Sequence, residues 1–167
     1  MIDVSGALKN PGSVYPFREE LSFEPAFVMG EELTFEGAVL EGELFGAQET
    51  VSIQARLTVT VHAVCSRCLE PVNYPMDIEV EADFSRHPDE DSYPLTGHQI
   101  DGGIAAFDEM LLELPMRFLC REDCKGLCPV CGVNRNISLC TCRTGAVRPN
   151  PFSALSSLLA DQNNEEV

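Results

Sequence analysis

Val51-Ser52-Ile53-Gln54-Ala55-Arg56-Leu57-Thr58-Val59-Thr60-Val61-His62-Ala63 alternates apolar and polar residues without a break. The pattern stops at Val64-Cys65-Ser66-Arg67-Cys68-Leu69-Glu70-Pro71. It then resumes as Val72-Asn73-Tyr74-Pro75-Met76-Asp77-Ile78-Glu79-Val80-Glu81-Ala82-Asp83-Phe84. Successive side chains of a strand point to opposite faces, so period two sustained this long specifies a half-buried antiparallel hairpin. One face would carry Val51, Ile53, Ala55, Leu57, Val59, Val61 and Ala63 against Val72, Tyr74, Met76, Ile78, Val80, Ala82 and Phe84. The polar face of the second strand is acidic, through Asp77, Glu79, Glu81 and Asp83. The hairpin tip presents Cys65 and Cys68.

Upstream, Leu33, Phe35, Gly37 and Val39 alternate with Thr34, Glu36 and Ala38, which predicts a strand over 32–41. Glu41-Gly42 and Gly46 predict the turn after it. Residues 1–30 read as irregular structure with short strands, interrupted by Pro11-Gly12, Pro16 and Pro25. Downstream, residues 86–100 read as an exposed, mobile linker. Asp101 is a candidate N-cap for a helix over 104–114 whose apolar stripe is Ile104, Phe107, Leu111 and Leu114, widened by Leu112. Pro115 closes the regular part. Residues 116–145 are dense in cysteine and glycine. Asn150-Pro151 then opens a short terminal helix with Phe152, Leu155, Leu158 and Leu159 on one face, and 163–167 reads as a disordered tail. The expectation is an α+β fold: an antiparallel β-sheet with a long hairpin, one covering helix and a zinc-bound C-terminal module. Its domains would be 1–115, then 116–162 with the terminal helix packed on the zinc module, then the tail.

The formal net charge is −16 over 167 residues, with Lys and Arg totalling 11. Such a chain repels naked nucleic acid at long range and attracts a basic partner. No apolar run is long enough to span a bilayer. The start, Met1-Ile2-Asp3-Val4-Ser5-Gly6, has neither a basic nor an apolar leader region. These features predict a cytoplasmic protein, where thiols stay reduced and grouped cysteines point to metal rather than disulfides.

All 8 cysteines fall into short-spaced groups: Cys65-x2-Cys68, then Cys120-x3-Cys124-x3-Cys128-x2-Cys131-x8-Cys140-x1-Cys142. Zinc takes four thiolates in a tetrahedron, and a two-residue gap directs two sulfurs at one ion. In Cys128-Pro129-Val130-Cys131-Gly132 the proline fixes the turn and the glycine permits a positive φ. Two zinc ions would use all the thiols. One partition places Cys128, Cys131, Cys140 and Cys142 on one ion and Cys65, Cys68, Cys120 and Cys124 on the other. The competing partition pairs the two x2 knuckles, Cys65/Cys68 with Cys128/Cys131. The first costs less loop-closure entropy. Disulfides, buried thiols and an iron–sulfur cluster are the other readings of the same residues.

No catalytic residue is assigned. A catalytic zinc keeps an open position, often with histidine and a carboxylate base nearby. Here thiolates close both sites; His62 falls on the polar face of its strand, and His87 and His98 lie in the linker. Nucleophile-elbow, phosphate-loop and metalloprotease motifs are missing from the sequence. Arg117, Arg121, Lys125, Arg135, Arg143 and Arg148 cluster around the cysteines. Their expected role is to offset thiolate charge, and their alternative role is contact with RNA phosphate or a partner. Phe118 is the only aromatic side chain close enough to stack on a base.

The order Cys65-Ser66-Arg67-Cys68-Leu69, an acidic strand, Leu111-Leu112-Glu113-Leu114-Pro115-Met116, the run from Cys120 to Asn136, and Arg148-Pro149-Asn150-Pro151-Phe152 resembles the bacterial YceD-like family. Its members are called large ribosomal RNA subunit accumulation proteins. The resemblance spans roughly residues 33–160. It implies a role in ribosome biogenesis, with large-subunit ribosomal RNA or a basic ribosomal protein as partner, and neither a membrane nor a small-molecule substrate. Gly102-Gly103 stand where the family usually has apolar residues, and Arg135 replaces a usual leucine.

Overall fold

The computed structural model describes residues 1–47 and 49–142. The terminal helix, the tail, Arg143 and Arg148 lie outside the described residues. The elements in chain order are β1 (Ile2–Asp3), α1 (Ser5–Lys9), β2 (Val14–Leu21), β3 (Ala26–Val28), β4 (Glu31–Gly46), β5 (Thr50–Val64), β6 (Pro71–Ser85), β7 (Tyr93–Pro94), β8 (Gln99–Ile100) and α2 (Gly102–Glu113). The main sheet runs β2-β4-β5-β6-β7, with β3 added to the start of β4, and is antiparallel except where β7 joins β6 in parallel. A small second sheet pairs β1 with β8. The chain divides between Cys124 and Lys125 into two compact units.

The hairpin is observed in the register that the alternation requires. Val51 faces Phe84, Leu57 faces Ile78 and Ala63 faces Val72. Val51, Ile53, Leu57, Val61, Val80 and Phe84 are buried, while Asp77, Glu79, Glu81 and Asp83 are exposed. On the open face Arg56 donates to both carboxylate oxygens of Asp77, at 3.0 and 3.1 Å, and lies 3.6 Å from Glu79.

Strand β4 departs from expectation in two ways. First, it extends to Gly46, so Glu41-Gly42 is strand and not turn. Gly42 faces Ala55, and a Cβ there would stand 2.2 Å from the Gln54 carbonyl oxygen and 2.4 Å from the Ala55 Cα. The glycine serves close backbone approach. Second, the register slips between Glu36 and Val39, and Gly37 adopts a φ of 66°. A bulge of this kind places one extra residue on β4 and turns the later side chains over. Leu33 and Phe35 face inward before it, and Ala38, Leu40 and Leu44 after it. Val39, expected on the face of Leu33, therefore points the other way.

The N-terminal stretch is more regular than expected. β2 pairs along its whole length with β4, from Val14 opposite Phe45 to Leu21 opposite Ala38. Residues 86–100 are likewise folded and not a linker. Leu95 and Ile100 are buried, the Phe84 and Tyr93 rings lie 5.5 Å apart, and Tyr93 donates to Asp108 at 3.0 Å.

The helix, Gly102–Glu113, starts two residues earlier than expected, directly after its cap: the Asp101 carboxylate accepts from the Gly103 N–H at 3.0 Å, and the helix stops before Pro115. Its fully buried residues are Gly102, Ala105, Ala106 and Met110; of the expected stripe, Leu114 is buried and Phe107 and Leu111 pack against the core. Ile104 is 48 % exposed and Leu112 79 %. Small residues let the helix lie close on the sheet, and a Cβ on Gly102 would stand 3.0 Å from Leu40. Gly102, where the family usually has an apolar residue, is thus a packing residue. Among the described residues no helix is long and apolar enough to cross a membrane.

Two candidate metal centres

The first centre sits where β5 ends. A second, smaller core of Leu33, Val61, Ala63, Leu114 and Phe118 packs near the hairpin tip. Ala63 lies two residues before Cys65 and Phe118 two before Cys120, so this core carries both cysteine segments. Phe118 is buried, with its ring edge-on to Tyr74 at 5.6 Å, and does not stand free to stack on a base. Its carbonyl oxygen accepts from the Ser66 N–H at 2.9 Å and from the Ser66 hydroxyl at 3.1 Å. The tip itself is closed by the Cys65 N–H donating to Glu70 and by the Leu69 N–H donating to Cys65. Leu69 takes a φ of 62° to complete the turn.

The sulfurs of Cys65, Cys68, Cys120 and Cys124 all lie within 4.8 Å of one another. Cys65 and Cys124 are 3.8 Å apart, and Cys68 and Cys120 are 3.5 Å apart. A disulfide holds its sulfurs at about 2.0 Å, and all eight thiols are free. A tetrahedron with metal–sulfur bonds of about 2.3 Å has edges of about 3.8 Å. The observed spacings therefore fit one four-coordinate ion. Thiolates shared among several irons of a cluster would stand further apart.

The second centre gathers Cys128, Cys131, Cys140 and Cys142, again within 4.8 Å. Its knuckle is held by the Cys128 N–H donating to Val133 and the Gly132 N–H donating to Cys128, both at 2.8 Å. Gly132 has the positive φ, 73°, that the sequence predicts for it. A bridge pairs Leu127 with Asn134, the Lys125 N–H donates to the Asn136 side chain at 2.8 Å, and the Arg135 N–H donates to Gly126. Of the two partitions open in the sequence, the sulfurs adopt the first; Cys65 and Cys68 do not gather with Cys128 and Cys131.

The thiol acidities show what such a cluster needs. Desolvation pushes the Cys65 thiol up, but backbone N–H groups of Cys120, Arg67 and Cys68 outweigh it and leave it at about 6. Backbone N–H groups of Cys131 and Val130 bring Cys128 to about 6. Desolvation, then hydrogen bonds from Cys68 and the other sulfurs, push Cys120 up to about 12. The hydrogen bond with Cys131, desolvation and the neighbouring negative charge do the same to Cys142. Each set thus stabilises its first thiolate and resists its last, and a divalent cation removes that resistance. This soft, four-sulfur donor set fits zinc.

Arg117 and Arg121 are exposed beside the first cluster in sequence, and Lys125 and Arg135 are exposed in the second unit. The Arg121 guanidinium lies 3.5 Å from Asp123. His62 is in neither cysteine cluster and bonds Asn73 and Glu36, at 2.8 and 3.0 Å. Nothing in the sequence alone assigns a role to Arg67. Its guanidinium donates to the carbonyl oxygens of Cys124, at 2.9 Å, and Glu122, at 3.3 Å, bracing the far side of the cluster. Arg67→Ala should lower stability by about 1–2 kcal/mol, the usual worth of charge-assisted hydrogen bonds, and should speed metal transfer to a chromogenic chelator. An unchanged transfer rate would remove the bracing role.

With this cysteine order on a sheet-and-helix frame, one family model accounts for most of the chain: that of the large ribosomal RNA subunit accumulation protein YceD, matching residues 53–159. The chain belongs to the YceD family. Uncharacterized proteins of Mycobacterium tuberculosis and Mycobacterium bovis are each 32 % identical over 145 residues, covering 79 % of this chain and 69 % of theirs. An uncharacterized protein of Mycobacterium leprae is 31 % identical over 95 residues, covering 52 % of this chain and 43 % of its own. No solved structure matches. The YceD match takes in both cysteine clusters, β6 and α2, and its name ties the family to large-subunit ribosomal RNA.

Proposed function

We propose that this chain is a cytoplasmic ribosome-biogenesis factor that promotes accumulation of large-subunit ribosomal RNA, acting by binding rather than catalysis. Membership of the YceD family carries this reading. Two structural zinc ions belong to it, one on Cys65, Cys68, Cys120 and Cys124 and one on Cys128, Cys131, Cys140 and Cys142. Zinc would act there as a cross-link, the first ion tying the β5–β6 tip to the segment after α2. Four thiolates saturate a tetrahedral ion and leave it no position for substrate. Arg117, Arg121, Lys125 and Arg135, with Arg143 and Arg148, are the cations available for RNA phosphate or a partner.

Depletion of the protein should lower large-subunit relative to small-subunit ribosomal RNA, and an unchanged ratio would count decisively against the reading. A second reading is a zinc-stabilised chaperone or adaptor for a basic ribosomal protein, without RNA contact. The carboxylates on the open face of β6 favour it. Affinity capture before and after ribonuclease separates the two: a protein partner that survives digestion supports the second.

A further inference from the structure

We propose that the free edge of β6 is a docking strand for an extended, lysine- or arginine-rich protein segment. Among the described residues the sheet continues beyond β6 only through β7, which pairs with Phe84 and Ser85. From Val72 to Asp83 no described strand pairs with the far side of β6. Such an edge presents a row of unpaired N–H and C=O groups, the template on which an added strand forms. Pro75 is accommodated mid-strand, as an edge position permits, which leaves Met76–Asp83 as the stretch with a full set of donors.

Charge selects the occupant. Asp77, Glu79, Glu81 and Asp83 all project on the open face of this strand. Arg56 serves Asp77 and Glu79, whereas Glu81 and Asp83 have no ion-pair partner among the described residues. Alongside them lies a groove of about 650 Å³ whose lining includes Glu90, Asp91, Asp108 and Glu109 and no basic side chain. An antiparallel copy of β6 would set carboxylate against carboxylate, which is unfavourable between directly opposed strand residues. A second copy of this chain is therefore disfavoured, and a nucleic acid meets the same repulsion. A strand with a cation at every second residue meets a carboxylate at each one, and its alternate side chains lie on the side of Met76, Ile78 and Val80. This deepens the reading of a binding factor by naming a surface and its partner chemistry. It rests on that reading for the partner's biological role, while its geometry is tested independently of any ribosomal RNA ratio.

The test titrates the full chain with a peptide of about eight residues alternating lysine and valine, following backbone amide shifts. Shifts should concentrate on Met76–Asp83. N-methylation of alternate peptide amides, which removes the strand hydrogen bonds and keeps the charge, should weaken binding roughly tenfold or more, as should Glu81→Lys with Asp83→Lys. Glu81→Gln with Asp83→Asn should weaken it less, and protected β5–β6 amides in each variant show that the fold is kept. Equal binding of the N-methylated peptide, shifts centred away from β6, or displacement of the peptide by a short single-stranded RNA would overturn the proposal.

Discussion

Chelation of the full chain should release two zinc ions and open residues 116–142 to protease, while the amides of β4, β5 and β6 stay protected. Of the residues described from 125 to 142, Cys128 is the sole member of the buried apolar set, whereas Val130, Ile137 and Leu139 are exposed, Leu139 at 97 %. A segment this short, with no apolar core among its described residues, cannot offset its own chain entropy. Structural zinc supplies about 10–16 kcal/mol of apparent folding free energy in small modules, far above anything the few backbone bonds here contribute. Acid should act like chelator, because protons compete with metal for thiolates. Cys128→Ser should loosen the second unit and halve the metal count, and Cys68→Ser should free the 120–124 segment from the hairpin tip. Elemental analysis and limited proteolysis read both. Unaltered protease resistance after chelation, or native protein without zinc, would refute the metal assignment.

Gly42→Ala should strongly destabilise the sheet. The new Cβ would meet backbone at 2.2 and 2.4 Å, and backbone cannot rotate away as a side chain can. Strands β4 and β5 must separate at the centre of the core, where Leu40, Leu44, Leu57 and Ile53 are all buried. The expected loss is about 3 kcal/mol, the upper part of the usual overpacking range, read as a lower urea midpoint at unchanged slope. Gly12→Ala, at a position with open space around it, provides a control limited to the strain of its positive φ. A Gly42→Ala protein as stable as the parent would show that the strands do not approach so closely.

These effects fall on features that the sequence reveals unequally. The β5–β6 hairpin is legible because period two is a property of each strand alone. The Asp101 cap and the Gly132 turn are legible for the same reason: the cause lies within a few residues. Gly42 misleads, since glycine marks both turns and close approach, and only the neighbouring strand tells which. The face of α2 is legible only in part: Phe107, Leu111 and Leu114 pack inward as their spacing predicts, whereas Ile104 and Leu112 do not. Leu112 and Ile104 are the more apolar choice, but Ala105 and Ala106 let the axis come nearer, and the sheet's shape decides between them. Val39 is misplaced by the bulge at Gly37, whose effect is to invert every later side chain. Arg67 carries its signal only once Cys124 is known to lie opposite.

By itself the sequence determined that a long antiparallel hairpin exists, that its tip carries two thiols, and that every thiol stands in a group spaced for metal, because each is written in local periodicity and short spacing. The tertiary structure alone decided that β2 and the 86–100 segment are folded onto the sheet, and that the sulfurs of Cys65 and Cys68 meet those of Cys120 and Cys124. Those outcomes depend on contacts between residues dozens of positions apart, where the packing of Phe118, Leu114 and Val61 fixes which segments meet.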